Sequence, residues 1–199
     1  MLEFQKLGDE GKTRFDFRPF LDASYDSGIF SELCFCILTA NSTARRGIEI
    51  QQELASGGFL DLSSEELAAE LRKAGHRFPN SRAQYIIEAR KFEKVDEMVA
   101  NLVDSDAREW LVENVKGIGW KEASHFLRNI GRRDVAILDR HVLGVMCEHR
   151  MIPKAPKTLA KSKYLEAEEK LKPLAAKLKL SLGELDLYLW YMKAGKVLK

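Results

Sequence analysis

Cysteine is nearly absent from the 199-residue chain: three, at positions 34, 36 and 147. They form no CxxC pair, and no spacing suits zinc or an iron–sulfur cluster, so no such metal centre is expected. Cys34 and Cys36 lie in an apolar run and read as reduced, buried thiols of a cytoplasmic protein. Prolines number five and fall mostly between periodic stretches. Alternating β-branched segments and Asn-Gly or Asp-Gly turns are missing, which argues against strands and hairpin sheets. No apolar run reaches about 18 residues and no secretory leader is evident, so a membrane association is not expected. Asn and Gln are sparse beside Lys, Arg and Glu, a balance that leans toward a thermophile. Excess charge is also lacking: the net is +2. The charge is uneven, however. From Arg150 to Leu180 nine Lys/Arg face three Glu, which reads either as a local positive surface or as a solvated helix face.

What is present is helical periodicity, with length for one compact domain or two small units sharing a core. Residues 29–40 are apolar almost all round, the mark of a central buried helix. A second helix is expected over 44–56, closed by Gly57-Gly58. Ser63 with Glu66 forms a capping box for a third, ended by Gly75. Residues 81–103 read as one longer amphipathic helix. Further helices are expected over about 106–114, 120–130, 139–150, 158–178 and 182–194. In the last, Leu185, Tyr188, Leu189 and Met192 mark a buried stripe before Gly195.

Residues 115–123, VKGIGWKEA, are the most informative. Gly117 and Gly119 flank one apolar residue between two helices. Glycine permits positive φ and close backbone approach, and N–H groups beside a helix N-terminus can cradle a phosphate. Ile118 can plug the hairpin into the core, and Ala123 is small where the helices cross. The alternative is a plain helix–turn–helix connection. Lys121 lies in the first turn of the second helix, where the dipole disfavours a cation and favours the neutral, nucleophilic amine. Asp139 follows 18 positions later. The helix after Lys121 carries the chain roughly 15 Å away, and eight extended residues, 131–138, can span up to roughly 27 Å back. Asp139 can thus return to the mouth of the hairpin as an N-cap; taken alone, it could be only a cap.

The run VKGIGWKEASHFLRNIGRRDVAILDRHVL resembles the hairpin–loop–aspartate signature of the glycosylase superfamily that includes endonuclease III. More narrowly, GIGWKEASHFLRN, FCILTANSTA, GHRFPNSRAQYIIEAR and the ending LDLYLWYMKAGKVLK resemble the type 2 8-oxoguanine DNA glycosylase/AP lyases. The resemblance covers most of the chain from about residue 29. It implies an all-α, two-lobed helix-hairpin-helix fold without an iron–sulfur cluster. It divides the chain into an N-terminal segment, 1–22, packing with the C-terminal lobe, a helical barrel lobe, 23–133, holding the hairpin at about 106–130, and a C-terminal helical lobe, 134–199. It implies a monomer acting on double-stranded DNA containing 8-oxoguanine, by base excision and then strand cleavage through β-elimination. Lys121 matches the Schiff-base lysine and Asp139 the catalytic aspartate. The hairpin glycines Gly117 and Gly119 are expected to bind DNA, as is His141, which matches a phosphate-contacting position. Asn41 matches the residue filling the gap left by the flipped nucleotide. Phe78, Trp190 and the terminal Lys199 fall where the family builds its base pocket. The four-cysteine motif of endonuclease III is missing, and there is no room for the extra β-domain of type 1 enzymes; both favour type 2.

Blander readings stand beside these. Asn41 can be a helix C-cap, His141 can serve a structural bond, and Phe78 and Trp190 can be core aromatics. The target can be an oxidised pyrimidine or another damaged base, or the chain can be a non-catalytic hairpin module that binds DNA.

Overall fold

The computed structural model describes residues 28–156 and 159–195. The expected N-terminal segment 1–22 and Lys199 lie outside the described residues. Every regular element among the described residues is helical: α1 Ile29–Thr39, α2 Ala44–Asp61, α3 Ser64–Lys73, α4 Pro79–Ala89, a 3-10 turn Arg90–Phe92, α5 Val95–Val99, α6 Asp104–Asn114, α7 Trp120–Asn129, α8 Arg140–Glu148, α9 Lys161–Leu178 and α10 Leu182–Ala194. None of these helices is long and apolar enough to cross a membrane.

The all-round apolarity of α1 has the consequence its sequence requires. Residues Leu33 to Leu38 have no exposed surface, and α1 is packed against α2, α4 and α7. Each large side chain buried this way contributes about 1.5–3 kcal/mol. Two hydrophobic cores result. The first gathers α1 to α7 and ends at Val135; the second starts at Ala136 and gathers α8, α9 and α10. The chain passes between them along the extended run 135–138. Two buried ion pairs join the cores: Arg108 of α6 to Glu168 of α9 at 2.6 and 2.8 Å, and Arg128 of α7 to Asp186 of α10 at 2.8 Å. A buried charge without its partner is costly, so these pairs fix how the hairpin helices sit on the C-terminal helices.

Three local expectations need correction. Gly57-Gly58 does not close α2. The break falls at Ala55 (φ 50°, ψ −169°), and helical structure resumes to Asp61. A Cβ on Gly58 would stand 2.9 Å from Leu54 Cβ, so the glycine serves packing after the break. The single helix expected over 81–103 is α4, a 3-10 turn and α5. Pro79 supplies a first-turn start. Arg90 then reaches across to the carbonyls of Phe59 and Leu62, and Val95 and Val99 are buried, so tertiary anchoring redirects a chain that carries no Gly or Pro to announce it. The stripe on α10 is shorter than expected: Leu185 and Leu189 are buried, but Met192 is 37% exposed. Four of the nine basic side chains in the Lys-rich stretch have carboxylate partners. Lys161 pairs with Glu109, Lys163 and Lys170 with Glu166, and Lys172 with Glu169. That fits the solvated-face reading.

Candidate active site

The hairpin joins α6 to α7 through residues 115–119. Gly117 has φ +88°, and a Cβ there would stand 2.5 Å from the Tyr85 ring, so this position demands glycine twice over. Gly119 is the N-cap of α7 with φ −105°. Of the two properties expected of the hairpin glycines, positive φ therefore does not apply to Gly119. A Cβ there would lie 3.1 Å from the Glu122 carboxylate, so close approach does. Ile118 is buried at 6% exposure and Ala123 is fully buried, in line with their roles as plug and small crossing residue. Lys121, in the first turn of α7, keeps a partly exposed side chain with Nζ 3.2 Å from Glu122 Oε1. This carboxylate partner offsets the disfavour that the helix N-terminus imposes on the ammonium. Lys116, the nearest other lysine, is turned to Glu88 at 3.0 Å and to the Tyr85 ring.

Asp139 is the N-cap of α8. Its Oδ1 accepts the N–H groups of His141 at 2.8 Å and Val142 at 2.9 Å. Its Oδ2 accepts the Trp190 indole N–H at 3.2 Å. Both oxygens are thus engaged and the carboxylate is held from two directions. The Trp190 ring meets His141 edge-on at 5.9 Å between centroids. His141 Nε2 accepts from Arg140 Nε at 3.3 Å.

A cavity of about 880 Å³ opens between the helix ends. Its lining brings together Asn41, Lys121, Asp139, His141 and Trp190 from four separate stretches of chain. Gly117, Gly119 and Phe78 are not among the lining residues. Phe78 is the N-cap residue of α4, 38% exposed, with the Arg77 guanidinium 5.0 Å from its ring centroid. Asn41 follows the C-cap of α1 in left-handed conformation, φ 59°. It therefore serves as a helix-ending residue and as an exposed side chain at the cavity. Arg82 and His76 anchor this turn by donating to Ala40 O at 2.6 Å and bonding Leu38 O at 2.9 Å.

The sequence reading missed Asp186. It lines the cavity from α10, one turn before Trp190 and on the same face, and that i, i+4 spacing was the available signal. Oδ2 pairs with Arg128, and Oδ1 is buried with no hydrogen-bond partner among the described residues. Burial pushes the carboxyl up to about 7, against the pull of Arg128; Asp139 adds to the rise and Lys121 opposes it. Three exposed arginines also missed, Arg45, Arg77 and Arg140, line the cavity. These arginines place positive side chains at the opening, Arg45 being paired as well with Glu49 at 2.9 Å. Among the described residues no group of three His, Cys, Asp or Glu side chains could hold a metal ion.

With this geometry in view, comparison with known proteins is specific. A sequence model of the family described as 8-oxoguanine DNA glycosylase matches residues 12–180. The chain is similar to the 8-oxoguanine DNA glycosylase/AP lyase of Aquifex aeolicus, 52% identical over 100% of this chain and 91% of the relative. It is 51% identical to that of Methanocaldococcus jannaschii, over 92% and 88%. Its fold matches the crystal structure of the M. jannaschii 8-oxoguanine glycosylase/lyase in complex with a 15mer DNA containing 8-oxoguanine. The TM-score is 0.89, with 46% identity and all of both chains covered. A trapped endonuclease III–DNA covalent intermediate matches at TM-score 0.63 and 17% identity, covering 100% of this chain and 89% of that one, a likeness of fold alone.

Proposed function

The chain belongs to the 8-oxoguanine DNA glycosylase family, and we propose that Lys121 and Asp139 carry out its chemistry in the cavity between the two cores. The activity is that of a bifunctional base excision repair enzyme, an 8-oxoguanine DNA glycosylase/AP lyase of helix-hairpin-helix fold. The partner is double-stranded DNA containing 8-oxoguanine, bound by a monomer.

The observation that carries this reading is the convergence of one amine and one doubly held carboxylate on a cavity wide enough for a base. A base inside a duplex is out of reach, so the nucleotide must swing out. Asn41 fills the space it leaves. The hairpin N–H groups of Gly117 and Gly119, with His141, hold phosphates. Arg45, Arg77 and Arg140 add charge at the rim. Lys121 Nζ attacks the anomeric carbon while the glycosidic bond breaks and its electron pair leaves with the base. Asp139 offsets the positive charge growing on the sugar. One amine proton passes to the departing base, the C1′–O4′ bond breaks with O4′ taking the second, and the carbon–nitrogen bond becomes an imine. Loss of a C2′ proton then expels the 3′ phosphate.

8-Oxoguanine carries an N–H at N7 where guanine has an acceptor, so an acceptor in the pocket discriminates between them. Asp186 lines the cavity with Oδ1 unpartnered among the described residues, and when ionised it is an acceptor suited to base N–H groups. Trp190 and Phe78 are assigned to the base, as is Lys199, which lies outside the described residues. The test is borohydride trapping on an 8-oxoguanine duplex and, in parallel, on an oxidised-pyrimidine duplex. A covalent adduct on the first, absent for Lys121→Gln, is expected. Trapping only on the second would overturn the substrate, and trapping by Lys121→Gln would overturn the nucleophile.

A further inference from the structure

The extended run 135–138 carries the chain from one core to the other and delivers Asp139. It has no neighbouring strand among the described residues, so its peptide groups must find other partners. They find them on one face of α9. Ala136 N–H donates to Glu168 Oε1 at 2.8 Å. Ala136 C=O accepts from the Tyr164 hydroxyl at 2.6 Å, and Leu138 N–H donates to that same hydroxyl at 3.2 Å. Glu168 is held in turn by both guanidinium nitrogens of Arg108, at 2.6 and 2.8 Å.

The same hydroxyl also faces the other half of the site. Tyr164 Oη lies 3.1 Å from Ser124 Oγ. Ser124 Oγ donates to Trp120 C=O at 2.9 Å. Trp120 is the residue before Lys121, and its ring lies 6.0 Å from the Tyr164 ring. The Tyr164 proton goes to Ala136 C=O, and the single Ser124 proton can serve either Trp120 C=O or Tyr164 Oη, so one buried oxygen is bonded to the backbone that ends in Asp139 and meets α7, the helix that bears Lys121, at Ser124. Core packing alone calls for a ring at 164, which phenylalanine would supply; the polar contacts all fall on these two turns.

We propose that Tyr164 is a positioning residue that sets the separation of Lys121 and Asp139, with Glu168 and Arg108 holding the Asp139 side of the splint. It touches no reacting atom. Burial holds its hydroxyl far above the ordinary phenol range, so the proton it donates to Ala136 is retained at every working pH. Reacting groups displaced by about 1 Å can lose about 100-fold in rate, so a loosened splint has a large lever on excision and little on DNA affinity.

The inference rests on the assignment of Lys121 and Asp139 above, and one experiment separates the two. Tyr164→Phe keeps the ring and removes only the oxygen. Single-turnover excision of 8-oxoguanine is expected to fall about tenfold, with unchanged affinity for a duplex bearing a tetrahydrofuran abasic analogue. In a double-mutant cycle with Asp139→Asn, Tyr164→Phe should cost nothing further, because its effect acts through that carboxylate. A full multiplicative loss in the Asp139→Asn background overturns the splint, as does wild-type excision by Tyr164→Phe. Wild-type excision by Asp139→Asn itself overturns the catalytic pair, and the splint with it. Should Tyr164→Phe fail to fold, Ser124→Ala severs the Lys121 side alone; a lower single-turnover rate with unchanged duplex affinity is expected, and wild-type excision by it overturns the splint.

Discussion

Replacing Asp139 separates two tasks performed by one carboxylate. Oδ1 caps α8 through two backbone N–H groups, and Oδ2 accepts the Trp190 indole. Asparagine keeps an oxygen for the cap but turns an NH2 toward the indole N–H, donor against donor. It should lose the charged hydrogen bond, about 1.5 kcal/mol at the lower end because the site is half-buried. Alanine loses the bond and also the cap, about 1 kcal/mol more. At this length each kcal/mol lowers the melting temperature by about 2–4 °C. Alanine should therefore melt a few degrees below asparagine, and asparagine below wild type. Excision should not follow that order. Both variants lack the negative charge opposite the developing cation, and both should lose about 100- to 1,000-fold in single-turnover rate. Thermal melts and single-turnover assays at saturating enzyme measure the two scales. If the rates rank with the melting temperatures, or if asparagine excises at near wild-type rate, the carboxylate is a cap and the catalytic reading of Asp139 is wrong.

Other outcomes follow from the same geometry. Lys121→Gln should abolish base release and borohydride trapping while gel-shift affinity persists; trapping by the variant would move the nucleophile elsewhere, although Lys116 is committed to Glu88. Asp186 binds a proton more tightly in the fold than at its ordinary value of 3.8, with its folded value pushed up to about 7. Folded protein then holds more protons than unfolded across that window, so this group's contribution to stability falls as pH rises through it and levels off above about 7. The melting-temperature advantage of wild type over Asp186→Asn should shrink across the window, and an advantage that grows instead means the carboxylate is ionised in the fold. Neutralising roughly three phosphates through Arg45, Arg77 and Arg140 gives a slope of about −3 in log affinity against log salt, and a flat line would remove the rim arginines from the DNA interface. Deleting Lys199 should reduce 8-oxoguanine excision far more than cleavage at a preformed abasic site, and equal losses in the two assays would end its role in reading the base.

The parts of this molecule legible in its sequence are those governed by interactions within one helical turn or one tight turn. The Ser63–Glu66 capping box, the Gly195 stop and the glycine demanded at 117 announce themselves because their partners are three or four residues away or are the backbone itself. The all-round apolarity of α1 signals its depth without knowledge of its neighbours. What the sequence conceals is set by distant partners. Arg90 redirects the 81–103 stretch through carbonyls about 30 positions earlier, and the hydropathy of the stretch itself still reads as one helix. Lys121 and Asp139 were found because the hairpin supplies a local frame and eight residues suffice to return to it. The indole that holds Asp139 comes from 51 positions away, and the carboxylate facing the cavity from the same helix face. The i, i+4 spacing of Asp186 and Trp190 tells only that the two share a helix face, not that this face meets Asp139. The same limit hid the α9 splint. Tyr164 reads as one more apolar-face aromatic of an amphipathic helix until Ala136, Leu138 and Ser124 are seen around its hydroxyl. The groups proposed to react are therefore advertised by local turn chemistry. Their spacing is written in long-range hydrogen bonds to backbone, where any residue type can supply the acceptor and the sequence leaves no pattern to read.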